Sequence, residues 1–178
     1  MNKKAPNQLL LLAFLTATAC SIHIFESLIM RLMPLPFIRL GLSNVVVMYL
    51  LFEKKVFQAF LVAVIKSLVG GAVTFSLLSP STLLSLGGGL SAVFVMWVAL
   101  AVRLGFTEYG VSVIGAVAHN LAQLILVQNV VLPGTRVFML TPLLLFLGLL
   151  SGILTAWILV LIKSRFQRQI NENKVKDE

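Results

Sequence analysis

The sequence predicts an all-α integral membrane protein: a six-transmembrane-helix bundle with its N and C termini cytoplasmic. Three observations lead there. Of 178 residues, 59% are hydrophobic and 11% charged, with a mean hydropathy of +1.02, whereas about a quarter of the residues of a soluble domain are charged. The apolar residues run continuously instead of alternating, which suits helices that satisfy their own backbone in lipid and not the strands of a barrel. The cations divide unevenly between alternate connections. Lys3, Lys4, Lys54, Lys55, Arg103, Lys163, Arg165, Arg168, Lys174 and Lys176 fall on one side, against Arg31, Arg39 and Arg136 on the other. That bias places the cation-rich side in the cytoplasm.

Six segments follow in order: 8–28, 38–52, 56–78, 84–102, 111–132 and 137–162, with a basic cytoplasmic tail over 163–178. Most approach the ~20 residues that cross ~30 Å of hydrocarbon. The first has a rival reading, because Lys3-Lys4, an apolar run and Ala17-Thr18-Ala19-Cys20 resemble a lipoprotein-type signal peptide. Five further apolar segments already target the chain to the membrane, so 8–28 is read as a helix. The second segment is short and follows Pro34 and Pro36, which stop helix and extend the residues before them. Its preceding connection carries Leu32, Met33, Leu35 and Phe37, apolar for an exposed loop, and reads either as an interfacial segment or as a lid. The third segment carries Lys66. The fourth is expected to begin after Ser79-Pro80-Ser81 and to be loosened at its start by Gly87-Gly88-Gly89, whose expected role is close helix packing or backbone approach to a ligand from the outer side. The fifth carries His119, Asn120 and Gln123, with Gln128 and Asn129 beyond. In the sixth, Gly148 and Gly152 stand four apart, as Ala13 and Ala17 do in the first, a spacing that suits close helix contact. The connections leave no room for a soluble domain, so residues 1–178 form a single transmembrane domain.

Lys66 is the residue that composition does not explain. A lysine at the centre of a membrane helix costs roughly 2.5–3.5 kcal/mol on insertion scales, so it ordinarily faces a partner, a water-filled cavity or a ligand. It lies ~15 Å into its helix, near the midplane, with Gly70 and Thr74 following on the same face. Asn120 and Gln123 share a face of the fifth helix, as do His119 and Gln123. Glu26 falls near the outer end of the first helix, and Arg39 and Asn44 on the outer half of the second. Two readings stand. In one, these side chains converge on a cavity open to the outside, with Lys66 at its floor. In the other, Lys66 pairs with Glu26 and the amides cement the helices together.

The inventory argues against chemistry by this chain alone. There is no run of paired aspartates of the kind that holds magnesium on a diphosphate. His23 and His119 lie far apart in sequence, Cys20 is the single cysteine, and no metal-ligand spacing appears. No cofactor or metal is expected. The +8 charge follows membrane sidedness, so the expected surrounding is a lipid bilayer and not a nucleic acid.

Several motifs in order carry a resemblance. Glu26, Pro34-Leu35-Pro36-Phe37-Ile38-Arg39-Leu40-Gly41-Leu42-Ser43-Asn44, Lys66 to Thr74-Phe75, Ser79-Pro80-Ser81, Ser85-Leu86-Gly87-Gly88-Gly89-Leu90-Ser91 and Gly115-Ala116-Val117-Ala118-His119-Asn120-Leu121-Ala122-Gln123 resemble the bacterial membrane proteins labelled heptaprenyl diphosphate synthase component I, or the Gx transporter family. That family is similar to the S components of energy-coupling factor (ECF) transporters. The resemblance implies a multi-pass protein of the bacterial cell membrane that binds a small molecule near its outer face. Lys66, Asn120, Gln123, Asn44, Arg39, His119 and Glu26 would be its binding residues. It further implies a lid in the first outer loop and a helix-1 surface at Ala13 and Ala17 that docks a transmembrane coupling subunit served by ATPases. The family label implies a different partner, a catalytic polyprenyl diphosphate synthase subunit, to which this chain would be a non-catalytic companion.

Overall fold

The computed structural model describes residues 4–30, 41–102, 105–133 and 136–176. Six α-helices follow in order: α1 (Lys4–Met30), α2 (Asn44–Phe52), α3 (Val56–Val73), α4 (Pro80–Ala101), α5 (Glu108–Leu126) and α6 (Thr141–Lys176). No strand occurs among the described residues. All but α2 are long and apolar enough to cross a membrane.

The exception is structural. Nine residues of α2 rise only about 13 Å, and most of them are buried. It packs against α1, α3, α4 and α6, so it sits inside the ring of longer helices. Val45, Val46, Val47, Met48, Leu50 and Leu51 form the centre of the apolar core together with Ala59, Val62 and Val93. A helix apolar all round is one that is buried all round.

The ends of α2 and α3 are set by the same device. At the end of α2, Lys54 adopts φ 59°; its N–H reaches Leu51 O, and that of Lys55 reaches Leu50 O. At the end of α3, Phe75 adopts φ 52°; its N–H reaches Ala72 O, and that of Ser76 reaches Gly71 O. This paired bonding through a left-handed residue stops a helix, and glycine is its usual occupant. The third helix therefore ends at Val73 and not at residue 78. Hydroxyls hold the turn that follows: Thr74 bonds Gly70 O at 2.7 Å, and Thr82 bonds Ser76 O at 2.6 Å.

Two further boundaries correct the sequence reading. Pro80 opens α4 at a position where its missing N–H is harmless. Gly87-Gly88-Gly89 consequently lie within the helix and do not loosen its start. Their role is contact: a Cβ on Gly87 would meet Leu126, and one on Gly88 would meet His119 and Gln123. At the other end of the chain, α6 runs on to Lys176, so the basic tail is helical through that residue. Its 36 residues measure about 54 Å, well beyond a bilayer core.

Phe52, Glu108 and Lys163 meet at one end of the bundle, here called the base. The Lys163 ammonium lies 3.3 Å from Glu108 Oε1 and 4.2 Å from the centre of the Phe52 ring, which ties the basal ends of α2, α5 and α6. From the base, α3 and α5 rise and α4 and α6 descend. The α5–α6 contact depends on small residues. A Cβ on Gly152 would stand 2.7 Å from Val113 Cα, and one on Gly148 would stand 3.1 Å from the Asn120 amide nitrogen. Ala13 and Ala17, by contrast, lie on the exposed side of α1.

Gly152→Ala is expected to destabilise the bundle by about 1–3 kcal/mol, since the obstacle is backbone. Gly89→Ala, whose new methyl would find its nearest atom at 4.0 Å, is expected to be neutral or stabilising by up to about 1 kcal/mol through helix propensity. Thermal unfolding in detergent compares the two.

Candidate functional site: a polar interior around Lys66

Lys66 is 2% exposed. Its ammonium donates to Ser43 Oγ at 2.9 Å and to Asn44 Oδ1 at 2.5 Å, the residues that open α2. Their position is set one turn earlier. Gly41, at φ 70°, turns the chain so that its carbonyl accepts the Asn44 N–H at 2.8 Å. A Cβ there would stand 3.0 Å from Asn44 Nδ2. Glu26 Oε1 accepts the N–H of Gly41. A chain of contacts thus runs from α1 through the α2 entry to the midpoint of α3. Glu26 and Lys66 line one small cavity together with His23, Ser43, Ser85 and His119.

A second set of bonds lies alongside. Ser85 Oγ is 3.1 Å from His23 Nε2 and 3.1 Å from Ser67 Oγ, and Ser67 also donates to Ala63 O. These bonds join α1, α4 and α3 at the level just distal to Lys66. Gly70 makes the approach possible, because a Cβ there would stand 2.5 Å from the His23 ring.

The α5 residues divide. His119 lines the Lys66 cavity. Asn120 donates to Leu144 O of α6 at 2.8 Å, and Gln123 makes a long contact, 3.4 Å, to Leu84 O of α4; both are helix-to-helix ties. Gln128 is structural, accepting the Val137 N–H at 3.1 Å across the α5–α6 connection, and Asn129 bonds Ile125 O of its own helix. Arg39 and the proposed lid at residues 32–37 lie outside the described residues.

The structure therefore brings Lys66, Asn44, Glu26 and His119 together and adds His23, Ser43, Ser67 and Ser85. The free space beside Lys66 is about 10 Å³, room for one water. The segment that precedes Gly41, where the sequence places the outer opening, lies outside the described residues. A larger space of about 390 Å³ lies at the distal ends of α3, α4 and α5, but it is lined by Leu68, Leu77, Leu83, Val130 and other residues without charge. No group of three metal-ligating side chains occurs among the described residues. The interior offers one ammonium, one carboxylate, two imidazoles and several hydroxyls, a set suited to holding a polar ligand.

A family model described as heptaprenyl diphosphate synthase component I matches residues 15–162, from near the middle of α1 through the membrane-crossing part of α6. Among curated proteins and among solved structures, none matches the chain.

If the α2 entry is held by the ammonium, Asn44→Ala lowers stability by about 1–3 kcal/mol, the range for leaving a buried polar group short of a partner. The same substitution made on a Lys66→Met background is expected to do less harm. A double-mutant cycle by thermal unfolding in detergent measures the difference; equal losses in both backgrounds would show that the two residues act independently.

Proposed function

The chain belongs to the heptaprenyl diphosphate synthase component I family, and from that premise we propose that it is a non-catalytic, substrate-binding membrane component, similar to the S component of an ECF transporter. It captures a small anionic solute, either quinone- or isoprenoid-related or vitamin-like, and passes it inward with an ATPase-driven coupling module. The base of the bundle faces the cytoplasm of a bacterial cell, by the distribution of cations along the sequence.

One observation carries this reading: a lysine buried at the middle of a membrane span, its ammonium on the neutral oxygens of Ser43 and Asn44. An anion competes for such a group more strongly than a hydroxyl or an amide does, because charge-assisted hydrogen bonds are roughly twice as strong as neutral ones. Asn44, His119 and Glu26 border the ammonium and orient the ligand; Asn120 and Gln123 keep α5 in register beside it. Arg39 assists from the α2 approach. Ala13 and Ala17, exposed on α1, serve as the surface for the coupling subunit.

The family name supports a second reading. In it, the chain is the membrane subunit that accompanies a catalytic polyprenyl synthase, which would supply the paired aspartates absent here.

Uptake into cells, measured over a panel of carboxylated and phosphorylated quinone and isoprenoid precursors, separates the two. Under the first reading at least one compound shows saturable uptake that Lys66→Ala abolishes. If no compound is taken up, or Lys66→Ala transports like the wild type, the reading fails. A synthase subunit that co-purifies with the chain and loses activity without it then supports the second.

A further inference from the structure

From Val56 to Ala101 the chain carries one charged residue, Lys66, and its ammonium is directed into the bundle. The connection between α3 and α4 is therefore without charge. Its most exposed side chains are apolar, Phe75 at 99% and Leu78 at 100%. Its hydroxyls donate to the local backbone instead: Thr74 to Gly70 O, and Ser79 and Thr82 to Ser76 O. Exposed apolar surface of this kind marks contact with lipid or with another chain.

Depth accounts for the pattern. Glu53, Lys54, Lys55, Glu108 and Lys163 mark the edge of the hydrocarbon at the base, and α3 starts beside them at Val56. Its 18 residues rise about 27 Å, less than the ~30 Å of a bilayer core, and any tilt lowers the top further. The span Glu108–Val131, of 24 residues, rises about 36 Å. The α3–α4 turn thus stands a step below the end of α5, at the depth of the distal leaflet.

A groove of about 390 Å³ occupies the step, within the roughly 300–1,000 Å³ of small-molecule sites. Leu68 of α3, Leu83 and Leu86 of α4, Leu77 and Leu78 of the turn and Val130 beyond α5 line it. Its two hydroxyl side chains, Ser79 and Thr82, are those whose protons go to Ser76 O. The groove begins at Leu68, about 18 Å from the base, so it lies in the distal half of the hydrocarbon. Leu68 stands two residues from both Lys66 and Gly70, about 200° around the helix, on the side of α3 away from α2 and α1. Groove and polar interior are back to back.

Three properties select the occupant. A lining without charge offers nothing to a headgroup and suits a hydrocarbon chain. Leu68 and Leu83, each 44% exposed, make the groove continuous with the lipid-facing sides of α3 and α4. Its start at half depth fits a chain from one leaflet and not a partner helix that crosses both. We propose that the groove seats one acyl chain of a distal-leaflet phospholipid, with the α3–α4 turn embedded in that leaflet. The seated chain is not the tail of a solute held by Lys66, because α3 separates the two. The inference stands whether the protein takes up a solute or accompanies a synthase.

Native mass spectrometry of the full-length protein, released from detergent, tests it. The wild type is expected to retain one phospholipid after its other lipids are stripped. Leu83→Trp, which fills the groove, is expected to lower that occupancy several-fold. Leu143→Trp, at an α6 residue of similar exposure, 41%, outside the groove lining, is expected to keep it. A wild type that retains no lipid, or a second copy of the protein in its place, overturns the proposal. So does equal retention by the two variants. A second measurement needs no variant to fold: in liposomes, a phosphatidylcholine with a diazirine midway along one acyl chain is photoactivated against the wild type. Cross-links at Leu68, Leu83 and Val130 are expected to exceed those at Leu143 several-fold, and even labelling of the two surfaces overturns the groove as a lipid site.

Discussion

The ammonium of Lys66 and the first turn of α2 stabilise each other, and most of the interior is arranged around that contact. Placing a lysine at mid-membrane costs a few kcal/mol, while a hydrogen bond to a charged group returns about 1.5–3 kcal/mol. Two such bonds, to Ser43 and Asn44, are of the size needed to offset the penalty. In exchange, α2 is fixed. It is too short to cross a bilayer and apolar beyond Asn44; the bonds at its N-terminal turn and the tight turn at Lys54 position it inside the ring. Glu26 adds a third restraint by holding the N–H of Gly41.

Glycines make the rest of this arrangement possible. In lipid, helices gain little from burying apolar surface against one another, and close packing with interhelical hydrogen bonds takes over. Four buried glycines each receive a specific neighbour: Gly70 the His23 ring, Gly88 the His119 and Gln123 side chains, Gly115 the Met96 thioether and Gly148 the Asn120 amide. Three of these four neighbours are polar. The glycines thus do more than let helices touch; they admit polar side chains between helices that would otherwise be too far apart to share them.

This division explains what was legible in the sequence. The all-helical class and the approximate positions of the longer helices follow from apolar runs, whereas nine-residue α2 is too short to be a sixth crossing; the placing of Lys66, Asn44 and His119 near one another follows from depth and helix direction, since both are fixed by a rise of 1.5 Å per residue. The end of α3 was not legible, because its left-handed residue is Phe75 and not the glycine or asparagine that would have marked it. His23 was set aside for its distance in sequence from His119, although the two helices rise in one bundle and both residues line the Lys66 cavity. The hydroxyls were missed for a different reason. A serine or threonine in a helix satisfied by its own backbone, as Thr16 is, and one turned towards another helix, as Ser85 is, look alike in sequence. Arg39, which lies outside the described residues, stays an expectation from sequence.

The burial of Lys66 places a condition on any ligand it takes. The ammonium donates to Ser43 and Asn44, so an anion that binds it competes with these acceptors or moves with them. Both acceptors belong to the α2 entry, and that entry is also held by Glu26 through Gly41. Occupation of Lys66 is therefore linked to the position of α2, and any motion that frees Asn44 alters the wall of the Lys66 cavity at Gly41. Linkage is reciprocal: whatever free energy the anion contributes to releasing the α2 entry, release of that entry by other means contributes to anion affinity. The short central helix is thus the element through which the charge state of the interior and the packing of the surrounding helices affect each other. Its lack of a membrane-spanning length is consistent with that role, because it can shift without dragging a lipid-facing surface through the bilayer.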